Sequence, residues 1–258
     1  MQLCVSTILF KNMKIVTHDG IFHADEIFAI ALLHEVIENC PVERKRTIST
    51  QEYDDVNVWV VDVGGKYDVE KNLFDHHHDK SLHASCTLVL NELMNRNLIS
   101  MHLYEELYKN FHTISQIDCN GFLAVNGFQV NSLVKSFNSL PDGFNIALEL
   151  AKCYIKAAID TVNKIAESEE IWERGEDISR YIKLCDAFPI HWKRYNDHMF
   201  LIYPNSGKWN LLSIDSENFP ITSNGGHEFL HNGKFIAVYA EKEDAIASAQ
   251  LSAMIAVG

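Results

Sequence analysis

Apolar and polar residues fall in blocks whose period changes along the chain. Lys14 to Thr17 is a short β-branched run that stops at His18, and from Glu26 to Glu38 the residues Ile27, Ile30, Ala31, Leu33, Val36 and Ile37 recur at helical spacing. That pattern predicts a strand feeding a helix. Two further strands are predicted at Val42 to Ile48 and Asn57 to Val63; the second holds Trp59-Val60-Val61, apolar without alternation, as in a strand covered on both faces. Helices are predicted at about Ala84 to Asn95 and about Met101 to Phe111, ahead of a separate Ile114 to Gly121 element. Pro141-Asp142-Gly143 then opens a long helix whose apolar face is Phe144, Leu148, Ala151, Ile155, Ile159, Val162 and Ala166.

This order predicts an α/β fold, a mostly parallel sheet flanked by helices, in which ligands gather beyond the carboxyl ends of the strands. His18, Asp62 and Asp75 fall at such ends. The acidic stretch Glu167-Ser168-Glu169-Glu170 and Glu173 to Asp177 reads as a solvated connector. Strand-like runs follow at Met199 to Tyr203, Trp209 to Ile214 and Phe235 to Tyr239, separated by Asn205-Ser206-Gly207 and Asn224-Gly225-Gly226 turns. The expected organisation is a first domain over 13–165 and a smaller α+β domain over 178–258, with residues 1–12 an extension before Met13.

Composition narrows the function classes. With 22 lysines and arginines against 35 acidic residues, the formal charge of −13 argues against holding nucleic acid through a broad basic surface, although a local basic groove remains open. The six cysteines, Cys4, Cys40, Cys86, Cys119, Cys153 and Cys185, include no Cys-x-x-Cys pair, which disfavours a zinc ribbon or a disulfide framework. Met1 to Phe10 is fairly apolar but lacks a basic leader and the length of a membrane span. An intracellular, cytoplasmic protein with no membrane partner is expected; the oligomeric state stays open, a homodimer included.

The chemistry lies in three motifs. Thr17-His18-Asp19-Gly20-Ile21-Phe22-His23-Ala24-Asp25-Glu26, Val61-Asp62-Val63-Gly64-Gly65 and Phe74-Asp75-His76-His77-His78 place imidazoles and carboxylates at the ends of successive apolar runs. Carboxylates drawn to one point repel one another unless a cation offsets them. Donors of this type, without thiolate, favour Mn²⁺, with Mg²⁺, Fe²⁺ or Zn²⁺ as alternatives. Taken alone, His18 and His23 also fit surface histidines beside a helix cap, with Asp19 or Asp25 as the capping residue. Asp62 at the end of an apolar strand fits a carboxylate bridging two cations, and Gly64-Gly65 would let backbone approach a bound phosphate. Of the adjacent His76 and His77, one can ligate metal and the next contact substrate, oriented by an aspartate, while His78 and His83 are expected to be exposed.

In their order, His-x-x-x-x-His-x-Asp-Glu, Val-Asp-Val-Gly-Gly-x-Tyr-Asp and Phe-Asp-His-His resemble the Myg-type exonuclease family, related to the DHH phosphoesterases, over roughly Met13 to Asn95. The resemblance implies a DHH-like, two-domain hydrolase that cleaves phosphodiester bonds with two divalent metal ions, acting from the 3′ end of RNA. It implies that His18 and His23 bind one metal and Asp25 and His76 the other, that Asp62 bridges, and that His77 meets the scissile phosphate. The family's Ile-Asp-Asn-Gly element corresponds to Ile117-Asp118-Cys119-Asn120-Gly121, with one residue inserted; Asp118 is the candidate fourth acidic ligand, and Ser115 stands where an earlier acid is usual. Gly225-Gly226-His227 and Phe229-Leu230-His231-Asn232-Gly233 resemble substrate loops, which makes Gly226, His231 and Asn232 substrate-binding candidates.

Glu241-Lys242-Glu243-Asp244 replaces the family's basic stretch. Two other readings therefore stand beside an exonuclease of single-stranded RNA or short oligonucleotides. One is a small-molecule phosphoesterase acting on short oligonucleotides, nucleotides or pyrophosphate, and the other a metal-binding or interaction protein without turnover.

Overall fold

The β-branched runs form three strands in the computed structural model, β1 (Lys14–His18), β2 (Val42–Lys45) and β3 (Val58–Val61), joined by two-residue strands β4 (Tyr67–Asp68) and β5 (Leu73–Phe74). The sheet order is β2-β1-β3-β5-β4. All its neighbours run parallel except β4, which pairs antiparallel with β5. The structure describes residues 13–37, 40–121, 129–195 and 197–258; the expected extension over 1–12 lies outside them.

Both sheet faces are covered, which is why β3 shows no alternation. Ile15, Trp59, Val61 and Phe74 belong to the larger core, whereas Val16, Val58, Val60 and Leu73 pack on the opposite side with Ile48 and Tyr53. Tyr53 belongs to α2 (Thr50–Asp54), a short helix absent from the sequence expectation. Its Ser49–Glu52 capping box turns the chain at the point where β2 was expected to continue to Ile48.

Helices α1 (Ala24–Val36), α3 (Ser85–Asn95), α4 (Met101–Asn120), α5 (Val130–Ser136) and α6 (Gly143–Arg174) complete the layers around this sheet. α1 is buried nearly all round, Asp25 and Glu26 included. α4 runs through the position where a separate element was expected, because Leu103, Leu107, Phe111 and Ile114 keep one buried stripe at helical spacing. Asp118 thus sits in the last turn of a helix.

The chain divides into two units, Met1–Val162 and Asn163–Gly258. The division falls inside α6, and the acidic stretch read as a connector is helical to Arg174 before β6 (Glu176–Ser179) begins. In the second unit β6, β7 (Ile182–Leu184), β8 (Phe200–Asn205), β9 (Lys208–Ser213), β10 (His227–Leu230) and β11 (Ile236–Tyr239) form a sheet ordered β10-β11-β9-β8-β7-β6. Helix α7 (Lys242–Val257) lays Ala245, Ala249 and Ala253 into that unit's core against Phe200, Ile202 and Tyr239. Lys242 and its acidic neighbours thus begin a helix. No helix among the described residues is long and apolar enough to cross a membrane.

Phe74 is fully buried and stacks on Trp59 at a ring-centroid distance of 5.3 Å, directly before Asp75-His76-His77. Phe74→Ala is expected to lower stability by about 3–5 kcal/mol, read from urea unfolding midpoints.

Candidate metal centre

Parallel register sets the site. Thr17 lies opposite Val61, and Val61 opposite Phe74, so the next residues, His18, Asp62 and Asp75, emerge together at the carboxyl edge of the sheet. Asp62 leaves its strand with φ of 56°, a left-handed conformation that aspartate and asparagine tolerate better than most residues. Its amide still donates to Phe74 O at 3.1 Å, which ties the turn to β5.

The two oxygens of Asp62 face different histidines. Oδ2 lies 3.4 Å from His18 Nε2, and Oδ1 lies 3.3 Å from His76 Nε2 and 3.2 Å from the Ser85 hydroxyl, which also donates to Phe74 O. His76 Nε2 is in turn 3.3 Å from Asp118 Oδ2 and 3.9 Å from Asp25 Oδ2. His23 completes the group: its donor atoms, with those of His18, Glu26 and Asp62, lie within 4.8 Å of one another, and it stands equally close to Asp25 and Asp118. All six sequence candidates, His18, His23, Asp25, Asp62, His76 and Asp118, therefore converge.

Glu26 is the residue that sequence reading left without a role. Both of its oxygens accept the His23 backbone N–H, at 2.8 and 2.9 Å, and Oε1 lies 2.9 Å from His18 Nε2. Its signal was present: an acid three residues past a helix start is a capping position. Cys119 was missed as well, and its sulfur sits 3.7 Å from His76 Nδ1. Ser115 is buried and accepts the Ala84 N–H at 2.8 Å, so at this position the chain uses a hydroxyl to cap α3.

Electrostatics follow from crowding. Hydrogen bonds donated to Asp62 and Glu26 push His18 up to about 11, against the effect of burial. Burial opposes a charged His76, yet Asp118 and Asp62 push it up to about 10. Asp62 is buried, but His18 and His76 hold its carboxyl well below the usual range. Asp25 goes the other way: burial first, then the charges of Asp62, Glu26 and Asp118, raise it well above an ordinary carboxylate.

Both Asp25 oxygens are buried without a hydrogen-bond partner. A buried carboxylate in that state is costly unless a cation meets it, and the nitrogen and oxygen donors around it suit a divalent ion. The residues present fit a metal.

His77 differs from its neighbour. Its side chain is 59% exposed, and its ring Nδ1 lies 2.7 Å from Asp75 Oδ1, which also accepts the His77 backbone N–H. Asp75 Oδ2 accepts the Gly65 N–H at 2.6 Å. Gly64 and Gly65 both have positive φ, and a Cβ at Gly64 would stand 2.8 Å from the Tyr53 hydroxyl. The glycine pair thus has a structural cause, a tight turn under Tyr53 that delivers an amide to Asp75. His78 is exposed, and His83 packs edge-on against His112.

Gly226, His231 and Asn232 belong to the second unit. Gly226 has φ of 72° beside the Asp244 carboxylate, Asn232 is exposed, and His231 Nδ1 accepts the Gly233 N–H at 2.9 Å while its ring packs on Phe235.

Residues 14–131 match the model of a family described as MYG1_exonuc, an uncharacterised protein family (UPF0160). The chain is 28% identical to the MYG1 protein of Chlamydia trachomatis serovar D over 223 residues, covering 77% of this chain and 74% of that protein. It is 29% identical to the human MYG1 exonuclease over 136 residues, 43% of this chain and 35% of that protein. It is 35% identical to MYG1 protein C694.04c of Schizosaccharomyces pombe over 95 residues, 37% of this chain and 29% of that protein. Among solved structures, RecJ from Thermus thermophilus in complex with Mg²⁺ aligns with a TM-score of 0.30 at 12% identity, covering 93% of this chain and 48% of RecJ.

In chelator, the raised pKa of Asp25 means that the folded chain holds a proton that the unfolded chain releases. Stability then falls as pH climbs past the ordinary carboxylate value toward the raised one. Asp25→Asn is expected to remove that loss and to raise metal-free stability at neutral pH by about 1–3 kcal/mol. If a divalent ion stabilises the fold through this site, the same change should abolish that stabilisation; melting curves in chelator and with added divalent metal check both outcomes.

Proposed function

With residues 14–131 belonging to the Myg-type exonuclease family, we propose that this protein is a metal-dependent phosphodiester hydrolase, a 3′–5′ exonuclease of single-stranded RNA or short oligonucleotides. The observation that carries the reading is Asp62, buried at the sheet edge, with one oxygen toward His18 and the other toward His76. A carboxylate so placed can serve two cations at once.

In this reading His18, His23 and Asp62 hold one divalent ion, and Asp25, Asp62, His76 and Asp118 hold the second, with Mn²⁺ as the leading occupant. Two such ions supply Lewis-acid polarisation of the phosphate and a nucleophile at neutral pH. The chain's own residues do the rest. Ser85 fixes the Asp62 carboxylate through its hydroxyl, so both oxygens keep their directions. Asp75 holds His77 at Nδ1 and leaves the far edge of the ring for a phosphate oxygen. A histidine there donates a charge-assisted hydrogen bond and exchanges a proton near neutral pH. His77 is pushed up from its ordinary value mainly by Asp75, which favours the donating, charged form. Gly226, His231 and Asn232 are assigned to substrate contact, on the resemblance of their loops alone.

Net charge of −13 favours a second reading, in which the substrate is a nucleotide, a dinucleotide or pyrophosphate. Incubation of the purified protein and Mn²⁺ with a labelled RNA of about twenty nucleotides, alongside dinucleotides and pyrophosphate, separates the two. Stepwise shortening from the 3′ end is the expected result. Release only from the small substrates supports the second reading, and bound metal without turnover of any phosphoester overturns both.

Asp62→Asn is expected to keep the fold, because asparagine tolerates the left-handed backbone, and to reduce hydrolysis by at least about a thousandfold. His77→Ala should cost about a hundredfold or more in kcat. Single-turnover rates at saturating Mn²⁺, with circular dichroism to verify folding, measure both.

A further inference from the structure

The loop between His18 and His23 joins two of the proposed ligands, yet its residues Asp19, Gly20 and Ile21 are exposed and Gly20 has φ of 87°. Of its own groups, the Asp19 N–H donates to Lys45 O at 3.1 Å and His18 Nδ1 stands 2.9 Å from Asp19 O, which leaves Gly20 to Phe22 to be held from outside. Two side chains from elsewhere in the first unit hold them. Arg44, on β2, donates from Nη2 to Gly20 O at 2.7 Å and from Nε to His18 O at 3.3 Å. Its guanidinium lies 4.4 Å from the Phe144 ring centroid and 5.7 Å from that of Phe22. Asn138, 116 residues along the chain, receives the Phe22 N–H on Oδ1 at 2.9 Å and returns Nδ2 to Phe22 O at 2.8 Å.

The anchor of Asn138 is itself rigid. It sits in the 3₁₀ turn Phe137–Ser139, and a Cβ on Gly143 would stand 1.8 Å from Phe137 O, so only glycine lets that turn close against the start of α6. Phe22 and Phe144 meet edge to face at 5.7 Å beneath the guanidinium. Backbone groups of His18, Gly20 and Phe22 are thereby tied to β2 and to the α5–α6 connection, and neither clamp residue belongs to the metal-donor set.

We propose that Arg44 and Asn138 are positioning residues that hold the His18-to-His23 loop in its metal-binding shape. Hydrogen-bonding partners that orient ligands are worth about 10–100-fold in metal affinity, and the same logic applies one bond farther out, through the backbone of the ligand loop. A guanidinium is suited to this because its planar fork holds two donors in fixed directions toward two carbonyls, which the rotatable donors of an ammonium do not pre-set. Arg44 also lines a cleft of about 680 Å³ with Phe22, Asn138 and Phe144, so its place is reachable from solvent.

The inference rests on the metal reading, and its test separates the two. Mn²⁺ affinity is measured without substrate, by electron paramagnetic resonance titration, for the wild type and for Arg44→Ala, Arg44→Lys, Asn138→Ala and Asn138→Asp, alongside melting temperatures in chelator. Arg44→Ala and Asn138→Ala are expected to weaken Mn²⁺ binding about tenfold or more. Added guanidinium should restore affinity to Arg44→Ala, and Arg44→Lys should not regain it. Asn138→Asp, which keeps an acceptor for the Phe22 N–H but opposes the Phe22 carbonyl, should behave like Asn138→Ala. Where turnover is measured, kcat should fall with KM unchanged. Wild-type Mn²⁺ affinity in the variants overturns the clamp and leaves the metal reading standing; a rise in KM alone does the same by making Arg44 a substrate contact. Absence of Mn²⁺ binding by the wild type overturns the metal reading, and this inference with it.

Discussion

Four carboxylates, Asp25, Glu26, Asp62 and Asp118, crowd together in the donor cluster, and the first three of them are buried. Burial and mutual repulsion both work against their charges, and the surrounding imidazoles offset them only in part, as the unpartnered oxygens of Asp25 attest. The rest of the first unit is organised around that crowding. Parallel pairing sets His18, Asp62 and Asp75 side by side at the sheet edge, and α1 and α4 bring Asp25, Glu26 and Asp118 to the same place. The helix covering on both faces keeps water from relieving it.

Within this crowd, neighbouring residues of the same type are given opposite environments. His76 and His77 have ring centroids 4.5 Å apart, yet the first turns inward to Asp62 and Asp118 while the second stays exposed with Asp75 on its Nδ1. The difference comes from Asp75, whose carboxylate is fixed by the Gly65 amide from the turn after β3. One turn of backbone thus separates the environments of two adjacent histidines. Cys119 adds a further asymmetry: the outer nitrogen of His76 meets a sulfur where such rings more often meet an oxygen.

The sequence was most legible where chemistry and periodicity coincided. His18, Asp62 and Asp75 could be placed at strand ends because each follows an apolar run, and α3 and the apolar face of α6 carry helical spacing, whereas α1 is apolar nearly all round. Short elements escaped: β4 and β5 are two residues each, too brief for alternation to register, and α2 owes its existence to a capping box between a serine and a glutamate. The break expected in α4 failed because His112, Thr113 and Gln116 lie off the buried stripe, and Ser115 is buried on it with its hydroxyl bonded to the Ala84 N–H. Acidic composition suggested a connector where α6 continues, since charge on an exposed helix face looks the same as charge in a loop. Contacts such as Asn138 with Phe22 have no local signature, because their cause lies more than a hundred residues away.

Glu26 has a consequence for how such a protein changes over time. The same carboxylate closes the amino end of α1 on the His23 amide and stands against the His18 ring. Helix initiation and the placement of a negative charge beside His18 are therefore inherited together. A glutamine at this position would keep an acceptor for the amide while removing the negative charge, so a lineage could retain the helix start intact and lose the anionic partner of His18 through a single nucleotide change. Scaffold and charge are separated here by the identity of one atom, and an intact helix start is no guarantee of an intact electrostatic environment.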